Sequence, residues 1–259
     1  MTHSHYDKQR VAQQFSRAAK RYTQHAQLQR QCAELVKAHL PSHCDSLLDL
    51  GCGPASHSLE LAQVTDFYLG MDIAEGMLKQ AQQCQPKLHW LLADAEQLPL
   101  QANSINVIVA NLALQWCNQL ANTLQQCADA LQADGRLLFT TVLAGSMQPL
   151  MAVMHQLDGQ LHHNQFLTEQ QLSEQLAQVD QLSWHIQLQR FCFDYDSLYE
   201  MLAEIKGIGA NYTARSSSGY FGKERWRELE QLMEKHRGEQ GKLPLNWNIA
   251  LIYGRKTKS

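Results

Sequence analysis

A short apolar run that leads straight into a glycine-rich turn is the feature of this sequence that most constrains its fold. Leu47-Leu48-Asp49-Leu50 is followed by Gly51-Cys52-Gly53-Pro54, and a helical pattern containing Leu59 and Leu61 begins soon after. Glycines let the backbone pass close to a ligand, and the N-terminus of the next helix offers unpaired N–H groups. The segment therefore predicts a strand, a tight turn and a helix, which is the context that a nucleotide site requires.

The rest of the chain alternates short apolar runs with helical spacing, which is typical of an α/β protein with a parallel sheet. Strands are predicted at 46–50, 66–71, 88–92, 105–110, 136–142, 184–193 and 247–253. Besides the helix after the glycine-rich turn, helices are predicted at 8–40 (as one or two), 75–83, 120–131, 149–161, 168–179, 195–206 and 224–237. Asp134-Gly135 is expected to end the helix 120–131, and Gly254 is expected to bound the last strand.

Composition and charge exclude several classes of protein. The 259 residues are 44% hydrophobic and 18% charged, which indicates a globular chain rather than a disordered one. A formal net charge of -3 provides no general attraction for nucleic acid, so no nucleic-acid partner is expected. The longest apolar stretch, 105–114, is too short to cross a bilayer, so no membrane association is expected.

The cysteines indicate the compartment. There are seven, an odd number, and none forms a Cys-x-x-Cys pair, so neither a disulfide framework nor a zinc site is predicted. Residues 1–10 lack the apolar segment of a secretory signal. We therefore expect a cytoplasmic protein that holds no metal.

The residues of the glycine-rich turn distinguish three kinds of nucleotide site. A phosphate-binding P-loop needs a Lys after the last Gly, and Pro54-Ala55-Ser56-His57 contains none. A dinucleotide fingerprint needs a third Gly where this chain has Ser56, which weakens but does not exclude a nicotinamide enzyme. Asp49-x-Gly51-x-Gly53 resembles the first motif of class I S-adenosylmethionine-dependent methyltransferases, although their most common form has Gly where this chain has Ala55. The resemblance implies a Rossmann-like fold with a mostly parallel seven-stranded sheet and an antiparallel last strand.

Acidic residues at successive strand ends fit such a cofactor site. Asp72 lies 21 residues beyond Gly51, where a carboxylate can accept both ribose hydroxyls. The resemblance implies that Asp94, with Ala95 beside it, meets the adenine amine. Each aspartate could instead cap a helix. The cofactor residues expected on this basis are Asp49, Gly51, Cys52, Gly53, Asp72, Ile73, Met77, Asp94, Ala95, Asn111, Leu112 and Gln115.

The flanking segments narrow the resemblance. The chain is similar over nearly its whole length to the malonyl-acyl-carrier-protein O-methyltransferases of biotin synthesis. The similar pieces are Phe15-Ser16-Arg17-Ala18-Ala19 with Tyr22, Ala26-x-Leu28-Gln29, Asn111 to Trp116, Phe139-Thr140-Thr141, Gly145-Ser146, His163-Asn164-x-Phe166, Lys206-Gly207-Ile208-Gly209-Ala210 and Gly241-x-Leu243-Pro244. Asn246-Trp247 departs from the Thr-Tyr pair that is frequent in the family, so no acceptor role is assigned there.

The resemblance implies one domain, 1–259, with a helical cap at 1–41, a cofactor-binding core at 42–145 and an acceptor side with a helical insert at 146–259. The implied reaction moves a methyl group from S-adenosyl-L-methionine to the free carboxylate of malonyl-acyl-carrier protein or malonyl-CoA. Tyr22 could donate a hydrogen bond to that carboxylate, and Arg17 could neutralise it. Tyr22 could equally be a core residue, and Arg17 could form a surface ion pair.

Other assignments stay open. Lys206 and Arg215 could meet an acidic carrier protein or the thioester arm, or could simply be solvated surface charges. The Gly- and Ser-rich stretch 207–222 could be a lid. His25 and His163 are expected to be structural. The alternatives to the leading interpretation are another small-molecule methyltransferase, with a quinone or a different carboxylate as acceptor, a nicotinamide oxidoreductase, and a noncatalytic binding module.

Overall fold

A seven-stranded sheet forms the centre of the protein. The computed structural model describes residues 6–159, 166–208 and 222–257. The strands are β1 (Cys44–Leu50), β2 (Thr65–Asp72), β3 (His89–Leu92), β4 (Ile105–Asn111), β5 (Leu131–Val142), β6 (Leu182–Tyr195) and β7 (Leu243–Lys256). Their order is β3-β2-β1-β4-β5-β7-β6, and only β7 runs antiparallel to its neighbours. The predicted mostly parallel sheet with an antiparallel last strand is therefore confirmed.

Helices cover the sheet. They are α1 (Lys8–His25), α2 (Gln27–Lys37), α3 (Ser58–Ala62), α4 (Glu75–Cys84), α5 (Leu120–Ala130), α6 (Leu150–Asp158), α7 (Glu169–Leu176), α8 (Leu198–Gly207) and α9 (Lys223–Glu234). Two short 3₁₀ helices, Ala95–Gln97 and Leu114–Trp116, follow β3 and β4. Each predicted helix is present with ends shifted by a few residues, and the predicted segment 8–40 is two helices that meet at Ala26.

The central strands of the sheet are buried on both faces, as their near-continuous apolar runs require. Leu48 and Ile108 pack in one cluster that includes residues of α5 and α7, whereas Leu47 and Val109 pack in another that includes residues of α2 and α3. Alternate residues of one strand thus enter opposite layers. The result is the helix–sheet–helix arrangement of a Rossmann-like fold, in which the carboxyl ends of the parallel strands share one edge.

Three predicted boundaries are wrong. Helix α5 already ends at Ala130, and Asp134-Gly135 lies in β5, where the register with β4 shifts. Gly254 lies inside β7 opposite Trp184, whose ring fills the space that a Cβ would need. The helix predicted to begin at Tyr195 begins later, because Tyr195 is the last residue of β6. Helix α8 starts at Leu198, and the side chain of Ser197 caps it by accepting from Glu200 N.

Candidate active site

The glycine-rich turn leaves β1 with an unusual backbone. Gly51 and Gly53 have φ angles of 77° and 58°, and Ala55 shares this left-handed conformation at 67°. A Cβ on Gly51 would come within 2.4 Å of Ala113 Cβ, so only glycine fits there. A Cβ on Gly53 would meet no atom within 4 Å, because the space beside it is open. The turn therefore presents its backbone to a cavity.

Asp72 ties the end of β2 to this turn. Its Oδ2 accepts the backbone N–H of Gly53 at 2.9 Å, and its Oδ1 accepts that of Ala74 at 2.7 Å. Asp72 does not cap α4, whose N-cap residue is Ala74. Burial raises the pKa of Asp72 to about 6, although these backbone hydrogen bonds act in the opposite direction. Each oxygen keeps a lone pair for a further donor.

Asp94 is shared between the turn after β3 and the N-terminal helix. Its Oδ1 accepts from Glu96 N and from Lys8 Nζ, both at 3.0 Å, so Asp94 caps the first 3₁₀ helix as the alternative interpretation expected. Among the described residues no donor meets its Oδ2. Burial lowers the pKa of Lys8, but Cys117, Glu96 and Asp94 raise it by more, so the net shift is upward.

Helix α1 covers the edge of the sheet with its apolar face. Val11, Phe15 and Tyr22 line the cavity from this side. Phe15 meets Trp116 edge-on, with ring centroids 5.3 Å apart. The backbone N–H of Gly76, in α4, donates to Ser16 Oγ at 3.1 Å. The predicted N-terminal segment therefore lies over the turn.

A main cavity lies between α1 and the carboxyl ends of β1, β2, β3 and β4. It holds about 720 Å³ of free space, including solvent at its mouth. Ten of the predicted site residues line it: Tyr22, Gly51, Gly53, Asp72, Ile73, Met77, Asp94, Ala95, Asn111 and Leu112. The structure thus brings together side chains and backbone from four strand ends and α1.

A second cavity adjoins the first, since Tyr22, Gly51, Gly53 and Asn111 line both. The predicted residues Asp49 and Cys52 line only this second one. Two of its polar atoms, Gln29 Oε1 and His57 Nε2, are buried with no hydrogen-bond partner among the described residues. An unpaired buried polar atom costs about 1–3 kcal/mol, which a bound polar ligand would recover.

Asp49 is buried beneath the turn. Tyr68 Oη donates to its Oδ2 at 2.7 Å and lies 2.6 Å from Ser58 Oγ. Burial raises the pKa of Asp49 to about 6, and the nearby Asp72 contributes to the rise. Burial, with Asp49 and Asp72 beside it, also raises the pKa of the Cys52 thiol, which makes Cys52 a packing residue rather than a nucleophile.

The end of β4 is fixed by a hydrogen-bond network. Asn111 Nδ2 donates to Gln29 O at 2.9 Å, and Asn111 Oδ1 accepts from Thr140 Oγ1 at 2.7 Å. Leu112 follows with a φ angle of 51°, and its N–H donates to Thr140 Oγ1 at 3.0 Å. A strained backbone held in this way is common at functional sites.

Two predicted site residues lie elsewhere. Gln115 lines neither of these cavities but a third, beside Asn118 and Thr141. Arg17 is exposed on the side of α1 that faces away from Phe15 and Tyr22, and it lines none of the three. Their assigned roles therefore stay predictions.

The late part of the chain is described only in part. Lys206 is exposed on α8, whereas Arg215, His163 and most of the stretch 207–222, including the expected lid, lie outside the described residues. His25 packs against Gly207, where a Cβ would come within 2.3 Å of its ring, which is the structural role expected of it.

The structure adds site residues that the sequence did not single out. Lys8, Gln29 and His57 line the first two cavities, yet none of them has a role predicted from the sequence, although Gln29 ends one of the pieces that resemble the family. One signal existed for Gln29, because it shares a helical face with the apolar Cys32, Ala33 and Val36 and is itself buried. A polar residue on a buried helix face indicates a specific partner.

Two further features of the described residues bear on function. His43, Asp45 and Asp66 bring ligand atoms within 4.8 Å of one another, but all three are exposed and such clusters are common without an ion. No helix in the ranges 6–159, 166–208 and 222–257 combines the length and apolarity of a membrane span.

Comparison with known solved structures supports the fold. The YcgJ protein of Bacillus subtilis superposes with a TM-score of 0.62 at 15% identity, covering 88% of this chain and 98% of that one. At this identity the likeness shows the fold alone.

Comparison of the sequence gives the family. The family model described as "Methyltransferase domain" matches residues 48–139, from β1 into β5. The malonyl-[acyl-carrier protein] O-methyltransferase of Pseudescherichia vulneris is 38% identical over 80% of this chain and 81% of its own length. The biotin biosynthesis bifunctional protein BioHC of Cellvibrio japonicus is 31% identical over 94% of this chain and 49% of its own length. This chain therefore belongs to the malonyl-[acyl-carrier protein] O-methyltransferase family.

Proposed function

We propose that this protein transfers the methyl group of S-adenosyl-L-methionine to the free carboxylate of malonyl-acyl-carrier protein. The product would be a malonyl methyl ester, which hides one charge and so passes for an ordinary acyl primer in the synthesis of the pimeloyl chain of biotin. The observation that carries the proposal is that Asp72, Asp94 and the glycine-rich turn surround the main cavity, to which the second cavity is joined.

The main cavity offers complementary groups for the nucleoside. Asp72 would accept both ribose hydroxyls through the lone pairs that its two backbone hydrogen bonds leave unused. The free Oδ2 of Asp94 would accept the adenine amine, while Ile73, Met77 and Ala95 would enclose the ring. Gly53 would let the ligand approach the backbone where a side chain would block it.

The second cavity has the polarity of an amino-acid end. Gln29 Oε1 and the Asp49 carboxylate would accept from an ammonium group. His57 Nε2 would face a carboxylate, beside the Lys37 ammonium that pairs with Glu34 and Glu60. Burial lowers the pKa of His57, and the positive charge of Lys37 lowers it further, so the ring is neutral at pH 7. In the tautomer that carries the proton on Nε2, the ring would donate to the ligand's carboxylate. The two unpaired buried atoms would thus find partners in the zwitterion of the donor molecule.

The reaction requires positioning rather than a strong base. When bound, S-adenosyl-L-methionine supplies an electrophilic methyl group on a positively charged sulfur. A carboxylate acceptor is already ionised at neutral pH, so the chain's task is to align it in line with the methyl group and sulfur and to exclude water. Gly51 and Asn111, at the junction of the two cavities, would lie beside the reacting atoms.

Tyr22 is suited to hold the acceptor, since it lies at this same junction. Burial raises the pKa of its phenol above the usual range, and Asp72 adds to the rise, so the hydroxyl stays protonated and acts as a donor. Trp116 and Leu114, which follow β4, would form the apolar wall opposite α1.

All seven cysteines are free thiols, which supports a reducing compartment such as the cytoplasm.

The test is a methyl-transfer assay with purified protein. The protein is incubated with methyl-labelled S-adenosyl-L-methionine and malonyl-acyl-carrier protein, and the product is identified by intact mass. Acetyl-acyl-carrier protein is the matched control because it lacks the free carboxylate. We expect a gain of one methyl group by the malonyl form alone. Binding of the methyl donor without labelling of either carrier would overturn the acceptor assignment and leave the cofactor site standing.

A further inference from the structure

Positive charge is concentrated in the N-terminal helices. Residues 8–33 contain six Lys and Arg and no Asp or Glu, although the whole chain carries a formal charge of -3. The remainder therefore holds 16 basic residues against 25 acidic ones. Such segregation creates a local positive field on an otherwise acidic protein.

Four of these cations share one face of α1. At 100° per residue, Arg10, Arg17, Lys20 and Arg21 fall within an arc of about 100°, which we call the basic face. All four are exposed. Arg10 pairs with the exposed Asp7 at 3.3 Å, but among the described residues Arg17, Lys20 and Arg21 meet no carboxylate.

The other basic residues of the segment are engaged elsewhere. Lys8 lies on the inner side of α1, bound to Asp94 and Glu96. Arg30, on α2, donates to Thr23 O at 2.9 Å and lies near Glu204. The basic face is thus distinct from the residues that line the cavity.

The basic face lies on the back of the helix that covers the cavity. Val11, Phe15 and Tyr22 point inward from α1, so a helix diameter of about 10 Å separates the cavity from the cations. A partner bound along α1 would be close enough to deliver a flexible arm around the helix. Long-range attraction to such a surface raises the rate of encounter more than the final affinity.

We propose that the basic face of α1 is the docking surface for the carrier protein of the malonyl thioester. Acyl carrier proteins are small and acidic, so their charge complements this face. The inference rests on the proposed function, and it selects the carrier-bound thioester over malonyl-CoA. The phosphates of CoA are the competing source of negative charge, and the test separates the two.

The test is the double variant Lys20→Glu/Arg21→Glu, since neither side chain lines a described cavity. Steady-state rates are measured with malonyl-acyl-carrier protein, malonyl-CoA and malonyl-pantetheine, which has no carrier and no nucleotide. We expect the KM for the carrier-bound substrate to rise about tenfold with kcat unchanged. The rates with the other two acceptors should match those of the wild type.

A matched control reverses two charges away from the site. Lys87→Glu/Arg255→Glu alters exposed cations at the opposite end of the sheet, before β3 and near the end of β7, and should leave all three acceptors unaffected. Three outcomes would each overturn the proposal. The double variant could lose activity equally with all three acceptors, or lose it with malonyl-CoA but not with malonyl-pantetheine. The control variant could also show the same loss as the double variant.

Direct binding distinguishes failure of docking from failure of the proposed function. Fluorescence anisotropy of a labelled, unacylated carrier protein measures docking without methyl transfer. Binding by the wild type that weakens about tenfold in the double variant supports docking even if no malonyl thioester is methylated. The opposite result is also informative. If malonyl-pantetheine is methylated but the double variant binds the carrier protein as tightly as the wild type does, the enzyme assignment holds and the docking proposal is wrong.

Discussion

The carboxylate of Asp72 accepts the backbone N–H of Gly53 at 2.9 Å, which joins the end of β2 to the glycine-rich turn after β1. The same side chain accepts from Ala74 N at 2.7 Å, at the start of α4. One carboxylate therefore fixes both backbone segments that border the main cavity. The group proposed to hold the ribose also maintains the shape of the site around it.

Asp72→Asn should weaken binding of S-adenosyl-L-methionine by about 30-fold, which corresponds to about 2 kcal/mol. An amide has one acceptor oxygen where the carboxylate has two, so it cannot serve Gly53, Ala74 and the ribose together. Isothermal titration calorimetry gives the Kd. The control is Asp66→Asn, which changes an exposed aspartate of the same strand and should leave the Kd unaltered. Equal affinity in both variants would remove Asp72 from the cofactor site.

Affinity for S-adenosyl-L-methionine should fall as the pH falls through about 6. Burial raises the pKa values of Asp49 and Asp72 to about 6, and the positively charged ligand favours the ionised carboxylates. Binding near pH 6 should therefore release protons, whereas binding at pH 8 should release none from these groups. Calorimetry in two buffers with different ionisation enthalpies counts the protons. Release that is identical at both pH values would contradict the assignment.

The same shifts affect stability of the free protein with a defined sign. The folded pKa values lie above the ordinary 3.8, so the folded state binds more protons than the unfolded state between pH 4 and 6. The contribution of these two groups to the free energy of unfolding should thus decrease as the pH rises through that window. Asp49→Asn should flatten this dependence in urea unfolding curves.

Features encoded by neighbouring residues were predictable from the sequence. The strand, glycine-rich turn and helix at β1, and the acidic residue that ends β2, follow from local patterns, and all lie where they were expected. The structure also explains why Gly is more common than Ala at position 55 in the family. Ala55 has a φ of 67°, a left-handed conformation that favours glycine. Local sequence thus predicted the strand, the turn and the carboxylate that border the main cavity.

Features that depend on long-range packing were not predictable. Asn111 meets Gln29 across 82 positions, and Lys8 meets Asp94 across 86, so no periodicity reveals either contact. The orientation of α1 decides that Tyr22 faces the cavity and that Arg17 does not. Gln115, on the 3₁₀ helix after β4, lines the third cavity rather than either of the first two, so its cofactor role stays a prediction.

Gln29→Leu should weaken binding of S-adenosyl-L-methionine by about tenfold with little loss of stability in the free protein. The change removes the unpaired buried Oε1, so the acceptor offered to the ligand's ammonium group disappears. Losing that unsatisfied atom offsets the loss of the hydrogen bond between the Gln29 and Tyr22 side chains. Calorimetry and urea unfolding give the two quantities. The control Gln27→Leu alters an exposed residue of α2 and should change neither. Unchanged affinity in Gln29→Leu would place the amino-acid end of the ligand elsewhere.

Tyr22→Phe should lower kcat with malonyl acceptors by about ten- to a hundredfold while the Kd for S-adenosyl-L-methionine stays within threefold. The phenol is proposed to orient the acceptor carboxylate, and Phe preserves the packing of α1 but not the donor. Because burial keeps the pKa of Tyr22 above the usual range, the loss should be the same at pH 7 and pH 9. Single-turnover kinetics measures the chemical step.

The exposed Tyr199 provides the matched control for that prediction, since it lines none of the three described cavities and Tyr199→Phe also removes one hydroxyl. A fall in kcat that Tyr199→Phe shares would indicate a general effect of the hydroxyl loss. A fall in donor affinity without a change in kcat would make Tyr22 part of the cofactor pocket alone. Only a loss confined to the chemical step of Tyr22→Phe supports a contact with the acceptor, because that contact forms after the methyl donor is bound.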